Sequence, residues 1–396
     1  MKEFAGKKIL IIVENLPVPF DRRVWQEAKA LKEKGAEVYV ICPKMKKYTK
    51  SFEIIEGIHI YRHPLPQAKG KLGYLLEYTS ALFWEFFLSL KIYLKHRFHV
   101  IHGCNPPDLI FLVALPFKLL GVKYVFDHHD LCPELYEAKF EKKGKFYKLL
   151  LLAEKLTFKV ADYIISTNES YKKIAIQRGK VHPNKVYVVR SAPDLSKFNI
   201  QLDNYNTEIY KKGSKYLIGY VGVIGEQEGL DLLMHVAKLL KDKESLRFAI
   251  IGEGPAWEKV KLLAKKLEVD DIVDFYGRVS DEELVKILSS CDVCVNPDKP
   301  CKMNELSTMN KIMEYMALKK PIVQFDLKEG RFSAQKASLY AKKGDTKDFA
   351  EKILTLLQNE KLRKKMGEYG YRRLINDLSW DKQKKNLWKL YRQVFN

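Results

Sequence analysis

Glu314 sits among Ile312, Met313, Met316 and Ala317, and a carboxylate in apolar surroundings needs a partner. The two hydroxyls of a ribose diol would serve. Lys311 lies one turn earlier, in the first turn of the same predicted helix, Met309–Leu318. A lysine there opposes the helix dipole, and an anionic ligand beside it would remove the conflict. Ser307 or Thr308 can cap this helix, and Asn310 shares its first turn with Lys311. The plainer alternative is a Glu–Lys surface pair.

Three glycine loops precede this segment. Gly222-Val223-Ile224-Gly225 follows the strand-like run Tyr216–Val221, Gly252-Glu253-Gly254 follows Phe248–Ile251, and Gly277-Arg278 follows Ile272–Tyr276. Glycine permits close backbone approach, and free amides at a helix start suit a phosphate. No Gly-Lys-Ser/Thr is present, so none is a Walker loop. Each loop taken alone reads equally well as ordinary turn chemistry.

These loops need strands and helices to hold them. Strand-like runs Lys8–Val13, Glu37–Cys42, His59–His63, Val100–Gly103, Lys123–His128, Tyr163–Thr167 and Val186–Arg190 alternate with longer helical patterns. The alternation breaks after Pro193 and restarts at Tyr216. Apolar strands alternating with helices predict parallel sheets covered on both faces. The predicted class is therefore α/β, with two Rossmann-like domains of parallel sheet facing an interdomain cleft. The boundaries are 1–196 for an N-terminal domain, 197–215 for a linker, 216–375 for a C-terminal domain, and 376–396 for a terminal helix packing back on the N domain. Ligands bind beyond the carboxyl ends of parallel strands, so the cleft is the expected active site.

Composition adds bounds. The 396 residues suit two domains. There are 70 Lys and Arg against 49 Asp and Glu, a net charge of +21 that favours polyanionic partners, or makes a lysine-rich robust surface. Nucleic acid is not expected, because the aromatics lie in apolar helices rather than among exposed basic residues. Of the six cysteines only Cys291 and Cys294 have a metal-like spacing, with no second pair nearby, and both read as buried apolar residues. Sparse cysteine and the absence of a leader pattern place the chain in the cytoplasm. The run Leu72–Leu94 is strongly apolar but carries Glu77, Glu85 and Lys91, which argues against a membrane span. It reads as a core helix, or as one that also touches a membrane face.

Taken together, the motifs resemble a known family. Gly252-Glu253-Gly254-Pro255, Gly277-Arg278, Asn296-Pro297 and Lys311-x-x-Glu314-Tyr315-Met316-Ala317-Leu318 followed by Lys320-Pro321-Ile322-Val323 are similar to the C domain of retaining GT-B glycosyltransferases of family 4. In the N half, Asp21-Arg22-Arg23-Val24-Trp25-Gln26-Glu27-Ala28 and Phe126-Asp127-His128-His129-Asp130-Leu131-Cys132-Pro133-Glu134 resemble that family's opening helix and its His-Asp-Leu-x-Pro-Glu segment. The resemblance spans essentially the whole chain.

It implies transfer of a sugar from a nucleotide-diphosphate sugar, UDP-linked by expectation, to a saccharide or lipid-linked acceptor, with retention, no cofactor and no metal. By motif, Glu314 would hold the donor ribose, and His129 would sit against the transferred sugar. Gly222, Gly225, Gly252, Gly254, Ser307, Thr308 and Asn310 would cradle the diphosphate, and Arg278 would frame the base. Asp21, Arg22 and Arg23 would face the acceptor, the two arginines suiting a phosphate on it. An anionic membrane surface, at the inner face of the plasma membrane, is a further expected partner.

The chain departs from the pattern in three places. The usual Glu eight residues before Glu314 is Leu306, with Glu305 one residue off register. The usual Arg and Lys of the first C-domain loop are Val223 and Glu228, and the usual glycine pair of the N-terminal loop is Pro17-Val18-Pro19. Lys311, with Arg331 second, is the expected replacement for the missing loop cations. A nucleotide-sugar 2-epimerase and a non-catalytic GT-B partner subunit are the rival readings.

Overall fold

A computed structural model describes residues 2–45, 47–66, 70–140, 143–198 and 208–396. The chain forms two compact units, Met1–Arg190 with Gln383–Asn396, and Ser191–Lys382. Most of the linker expected at 197–215 falls on residues 199–207, outside the described residues.

The first unit holds strands β1 (Lys8–Val13), β2 (Glu37–Pro43), β3 (Phe52–Ile55), β4 (Ile58–His63), β5 (Val100–Cys104), β6 (Lys123–His128), β7 (Tyr163–Ser166) and β8 (Val186–Val188). Their order across the sheet is β3-β4-β2-β1-β5-β6-β7-β8, parallel except for the β3–β4 hairpin. Every residue of β5 is buried, and so is every residue of β1 and β2 but the first. Continuous apolar runs such as Ile9–Val13 belong on a strand covered on both faces. The covering helices include α1 (Arg22–Glu33), α2 (Gly70–His96), α3 (Phe111–Lys118), α4 (Cys132–Phe140) and α5 (Lys145–Val160). α3 begins at Phe111, after two consecutive cis peptide bonds, Asn105-Pro106 and Pro106-Pro107.

The second unit holds β9 (Tyr216–Val221), β10 (Leu246–Ile251), β11 (Val273–Gly277), β12 (Val293–Asn296), β13 (Ile322–Phe325) and β14 (Ser338–Ala341) in the order β11-β10-β9-β12-β13-β14. This is the doubly wound order, with the switch point between β9 and β12. The glycine loop after β9 and the segment after β12 therefore open at the place where such sheets bind ligands.

The terminal helix Trp380–Phe395 joins the first unit from Gln383 onward. Trp388 Nε1 donates to the carbonyl of Ala30 at 2.8 Å, and Asn386 Nδ2 donates to that of Val188 at 3.1 Å. Its apolar face of Leu387, Leu390, Tyr391 and Val394 is buried.

Candidate active site

In the first unit the chemistry gathers at the carboxyl end of β6. Asp127, the second-last residue of β6, is fully buried. Its Oδ2 accepts from Arg23 Nε at 2.9 Å and lies 2.9 Å from His129 Nδ1, and its Oδ1 accepts from Arg23 Nη2 at 2.7 Å. Burial pushes the Asp127 carboxyl up, but Arg23 and His129 hold it well below the usual carboxylate range. Burial likewise lowers His129, yet the Asp127 carboxylate overrides this and raises the imidazole to about 9. His129 is thus an imidazolium at neutral pH, with Nδ1 committed to Asp127 and Nε2–H left as its donor. Its backbone N–H donates to Asn105 Oδ1 at 2.8 Å, which fixes the loop.

The network runs deeper. Arg23 Nη2 reaches Glu27 Oε1 at 3.1 Å, Glu27 Oε2 lies 3.4 Å from His102 Nε2, and His102 Nδ1 lies 2.9 Å from the Tyr391 hydroxyl. Glu27, His102, Cys104 and Asp127 also place four metal-type ligand atoms within 4.8 Å of one another. Arg23 and the His129 imidazolium balance the two carboxylates, so a protein cation stands where a metal charge would be needed. Neither Glu27 nor His102 had a role in the sequence reading, although Glu27 lies one turn from Arg23 on the buried side of α1.

This geometry corrects one expectation. Arg23 is buried, and its Nη1 donates to the carbonyl of Val189 at 3.0 Å. Its guanidinium positions Asp127 and is not available to an acceptor phosphate. Asp21 is the N-cap of α1, accepting from the backbone N–H of Val24 at 3.0 Å. Arg22 alone of the three has an exposed side chain. His128 is fully buried against Phe126, Phe158 and Tyr171, and burial lowers it to about 3, so it is a neutral core residue.

In the second unit, three loops are stitched together by their backbones. The N–H groups of Gly222 and Ile224 donate to the carbonyls of Ile251 and Glu253 at 3.0 and 3.1 Å. A Cβ on Gly252 would stand 1.8 Å from Gly222 O, so glycine is required there by contact between loops. Gly229 adopts φ +69° and packs on Pro297 O. The amides of Gly222, Gly252 and Ser307, three of those expected to cradle the diphosphate, are spent on structure, donating to the carbonyls of Ile251, Gly277 and Met303. Those of Val223 and Gly225 have no protein acceptor among the described residues.

The helix that carries Glu314 spans Asn310–Ala317. Neither Ser307 nor Thr308 caps it, contrary to expectation. Met309 is its N-cap and makes no side-chain cap, while Ser307 closes the preceding short helix Lys302–Leu306. Its N-cap thus offers the first-turn amides no side-chain acceptor, an arrangement that favours an anion. Tyr315 pins the helix under the sheet, donating to Val295 O at 3.1 Å and accepting from Val221 N at 3.0 Å. Glu314 and Asn310 are half-buried and exposed respectively, and Arg278 is exposed.

Lys311 is buried and points under the glycine loop. Its Nζ donates to Glu228 Oε2 at 2.6 Å and Asp298 Oδ1 at 2.9 Å. Burial raises the Asp298 carboxyl to about 7 against the pull of Lys311. Arg331 pairs with Asp326 at 2.6 Å. Both cations expected to meet a diphosphate are thus already paired within the protein. Glu305, the off-register acid, accepts from Lys328 N at 2.9 Å and pairs with Lys343. Cys291 and Cys294 are buried, and Cys291 Sγ donates to Ile287 O at 3.3 Å.

Known proteins share this architecture. Residues 203–373 match the family model for glycosyl transferases group 1, and residues 21–197 match that for glycosyltransferase family 4. An uncharacterised glycosyltransferase of Methanocaldococcus jannaschii is 28% identical over 193 residues, 48% of this chain and 52% of that protein. The N,N'-diacetylbacillosaminyl-diphospho-undecaprenol alpha-1,3-N-acetylgalactosaminyltransferase of Campylobacter jejuni is 26% identical over 347 residues, covering 85% of each chain. Among solved structures, Anabaena HepE in complex with UDP-glucose superposes with a TM-score of 0.75 at 13% identity, over 98% of this chain and 99% of that one.

Proposed function

Because this chain is a glycosyltransferase of the GT-B fold, we propose that it moves a sugar from a nucleotide-diphosphate sugar, UDP-linked in this reading, to a saccharide or lipid-linked acceptor with retention of configuration. The observation that carries the reading is the uncapped start of the helix Asn310–Ala317, with Glu314 one turn further on. Bond cleavage at the anomeric carbon builds charge on the leaving diphosphate, and fixed donors stabilise it there. The first-turn amides and those of Val223 and Gly225 supply such donors without a metal ion. Glu314 accepts the ribose hydroxyls, and Arg278 lies toward the base.

The His129 imidazolium is a donor and not a base at neutral pH, which suits holding a hydroxyl of the transferred sugar. Asp127 fixes its tautomer, and Arg23 fixes Asp127. Arg22 remains the arginine for an acceptor phosphate. A lipid-linked acceptor is supported by the Campylobacter relative, whose name specifies a diphospho-undecaprenol substrate.

Peripheral attachment to an anionic membrane is supported by α2, α3 and α5. They expose Leu76, Phe83, Phe87, Leu115, Leu149 and Leu152, and large apolar side chains exposed together on neighbouring helices suit a membrane face. No helix among the described residues is long and apolar enough to cross a membrane.

A thermal-shift panel of nucleotide sugars tests the donor reading, because a ligand that binds only the folded state raises Tm. One base and one sugar should stand out, and the response should vanish in Glu314→Ala. A flat response to every nucleotide sugar would sink the proposal.

A further inference from the structure

A groove of about 520 Å³ lies in the first unit between α2 and the β3–β4 hairpin, and the reading above gives it no role. Lys44, Lys91 and Lys95 line it, and no carboxylate does. None of the three lysines has an ion-pair partner among the described residues. Phe52 and Trp84 form part of its walls. Two further lining residues are buried and incompletely satisfied. Arg62 pairs with Glu53 at 2.5 Å and donates to Val18 O at 2.7 Å, but its Nε has no acceptor. His63 donates from Nδ1 to Pro64 O at 3.0 Å and leaves Nε2 buried without a partner. Such atoms cost free energy that a ligand's oxygens and hydroxyls would recover.

The rim is apolar. Leu76, Phe83, Phe87 and Leu94 are exposed and recur at helical spacing, so they form one stripe along α2. Glu85, one of the charges that argue in sequence against a membrane span, is turned fully inward and leaves that stripe uninterrupted. Ile54 on β3, two residues from the lining Phe52, is exposed as well. A cationic slot beside an apolar stripe fits an amphiphile with an anionic head. A second copy of the chain fits poorly, because each copy carries a net charge of +21.

We propose that this groove seats the phosphate of an anionic membrane lipid headgroup, with the α2 stripe lying in the interfacial region of the bilayer. The proposal rests on the peripheral-membrane reading and deepens it.

Flotation of the full chain tests it, on vesicles of phosphatidylcholine alone and of phosphatidylcholine with phosphatidylglycerol. Phosphatidylglycerol should strengthen binding. Lys91→Glu with Lys95→Glu should weaken binding to the mixed vesicles by about thirtyfold or more, the loss of two lysine–headgroup attractions. Lys361→Glu with Lys365→Glu makes the same charge change in the second unit and should weaken it far less. Equal losses in the two variants would mean that only total charge matters, which overturns the groove. Equal binding to neutral and anionic vesicles overturns the groove but leaves membrane attachment standing. No flotation on either vesicle overturns both. Inorganic pyrophosphate is the soluble arm. If it protects wild type but not Lys91→Glu/Lys95→Glu against heat while vesicles fail to bind, the site takes free phosphate and the lipid proposal is wrong.

Discussion

His129 and Arg23 share one oxygen: Asp127 Oδ2 lies 2.9 Å from His129 Nδ1 and 2.9 Å from Arg23 Nε. The shared atom ties the histidine's charge to a buried pair at the start of α1.

Asp127→Asn should therefore do two things at once. It should drop the His129 imidazole from about 9 to below its ordinary value, because burial, with Arg23 beside it, then outweighs Asp130, the remaining group that raises it. It should also cost roughly 3–5 kcal/mol of stability, since buried Arg23 loses its partner. NMR titration of His129 and urea unfolding check the two effects separately. Adding Arg23→Met should restore part of the stability and none of the histidine shift.

Stability should depend on pH with a definite sign. His129 titrates higher in the folded state, so its contribution is complete below its unfolded value of about 6.5 and is lost as pH rises through about 9. The loss is about 3 kcal/mol, counted once for the His129–Asp127 pair. Tm should fall between pH 6.5 and 9 in wild type, and His129→Ala should flatten that slope, most clearly between pH 8 and 9, above the buried carboxyls Glu14 and Glu85 at about 8. Parallel slopes in the two proteins would contradict the assignment.

Glu314→Ala should weaken donor binding by roughly 10–100-fold, the value of a hydrogen bond from a hydroxyl to a charged acceptor. Calorimetric titration with the nucleotide sugar found in the thermal panel measures it.

Lys311→Met should behave as a structural change. It strands Glu228 and Asp298 beside the glycine loop, which costs roughly 3–5 kcal/mol, or on the order of 10 °C in Tm for a unit of this size. Adding Glu228→Gln and Asp298→Asn should recover most of it. An unchanged Tm with lost donor binding would instead put Lys311 on the ligand.

Much of the fold is legible in the chain. Buried runs such as Ile9–Val13 can only be inner parallel strands, and the strand-to-helix loops follow from them. Phe52–Ile55 escapes notice because an edge strand is half-exposed and paired antiparallel through the tight Glu56-Gly57 turn. The donor helix is readable from Lys311-x-x-Glu314, but the depth of Lys311 is not, because Glu228 and Asp298 come from other loops. Arg22 and Arg23 look equivalent as neighbours. Only the helical phase separates them, since Arg23 shares a face with Glu27 and Ala30 while Arg22 turns outward. The partner that makes Arg23 a positioning residue lies more than a hundred residues away, beyond any local pattern.

The terminal helix gives this network an order in time. Tyr391 closes the series Tyr391–His102–Glu27–Arg23–Asp127–His129, and in sequence it lies beyond the whole second unit, Ser191–Lys382. On the ribosome the first unit is made early, yet the buried hydroxyl that backs His102 arrives only after the whole second unit has been synthesised. The His129 centre is therefore finished last, and a truncation before Gln383 should leave the neighbouring second unit folded while loosening a site more than two hundred and fifty residues upstream in sequence.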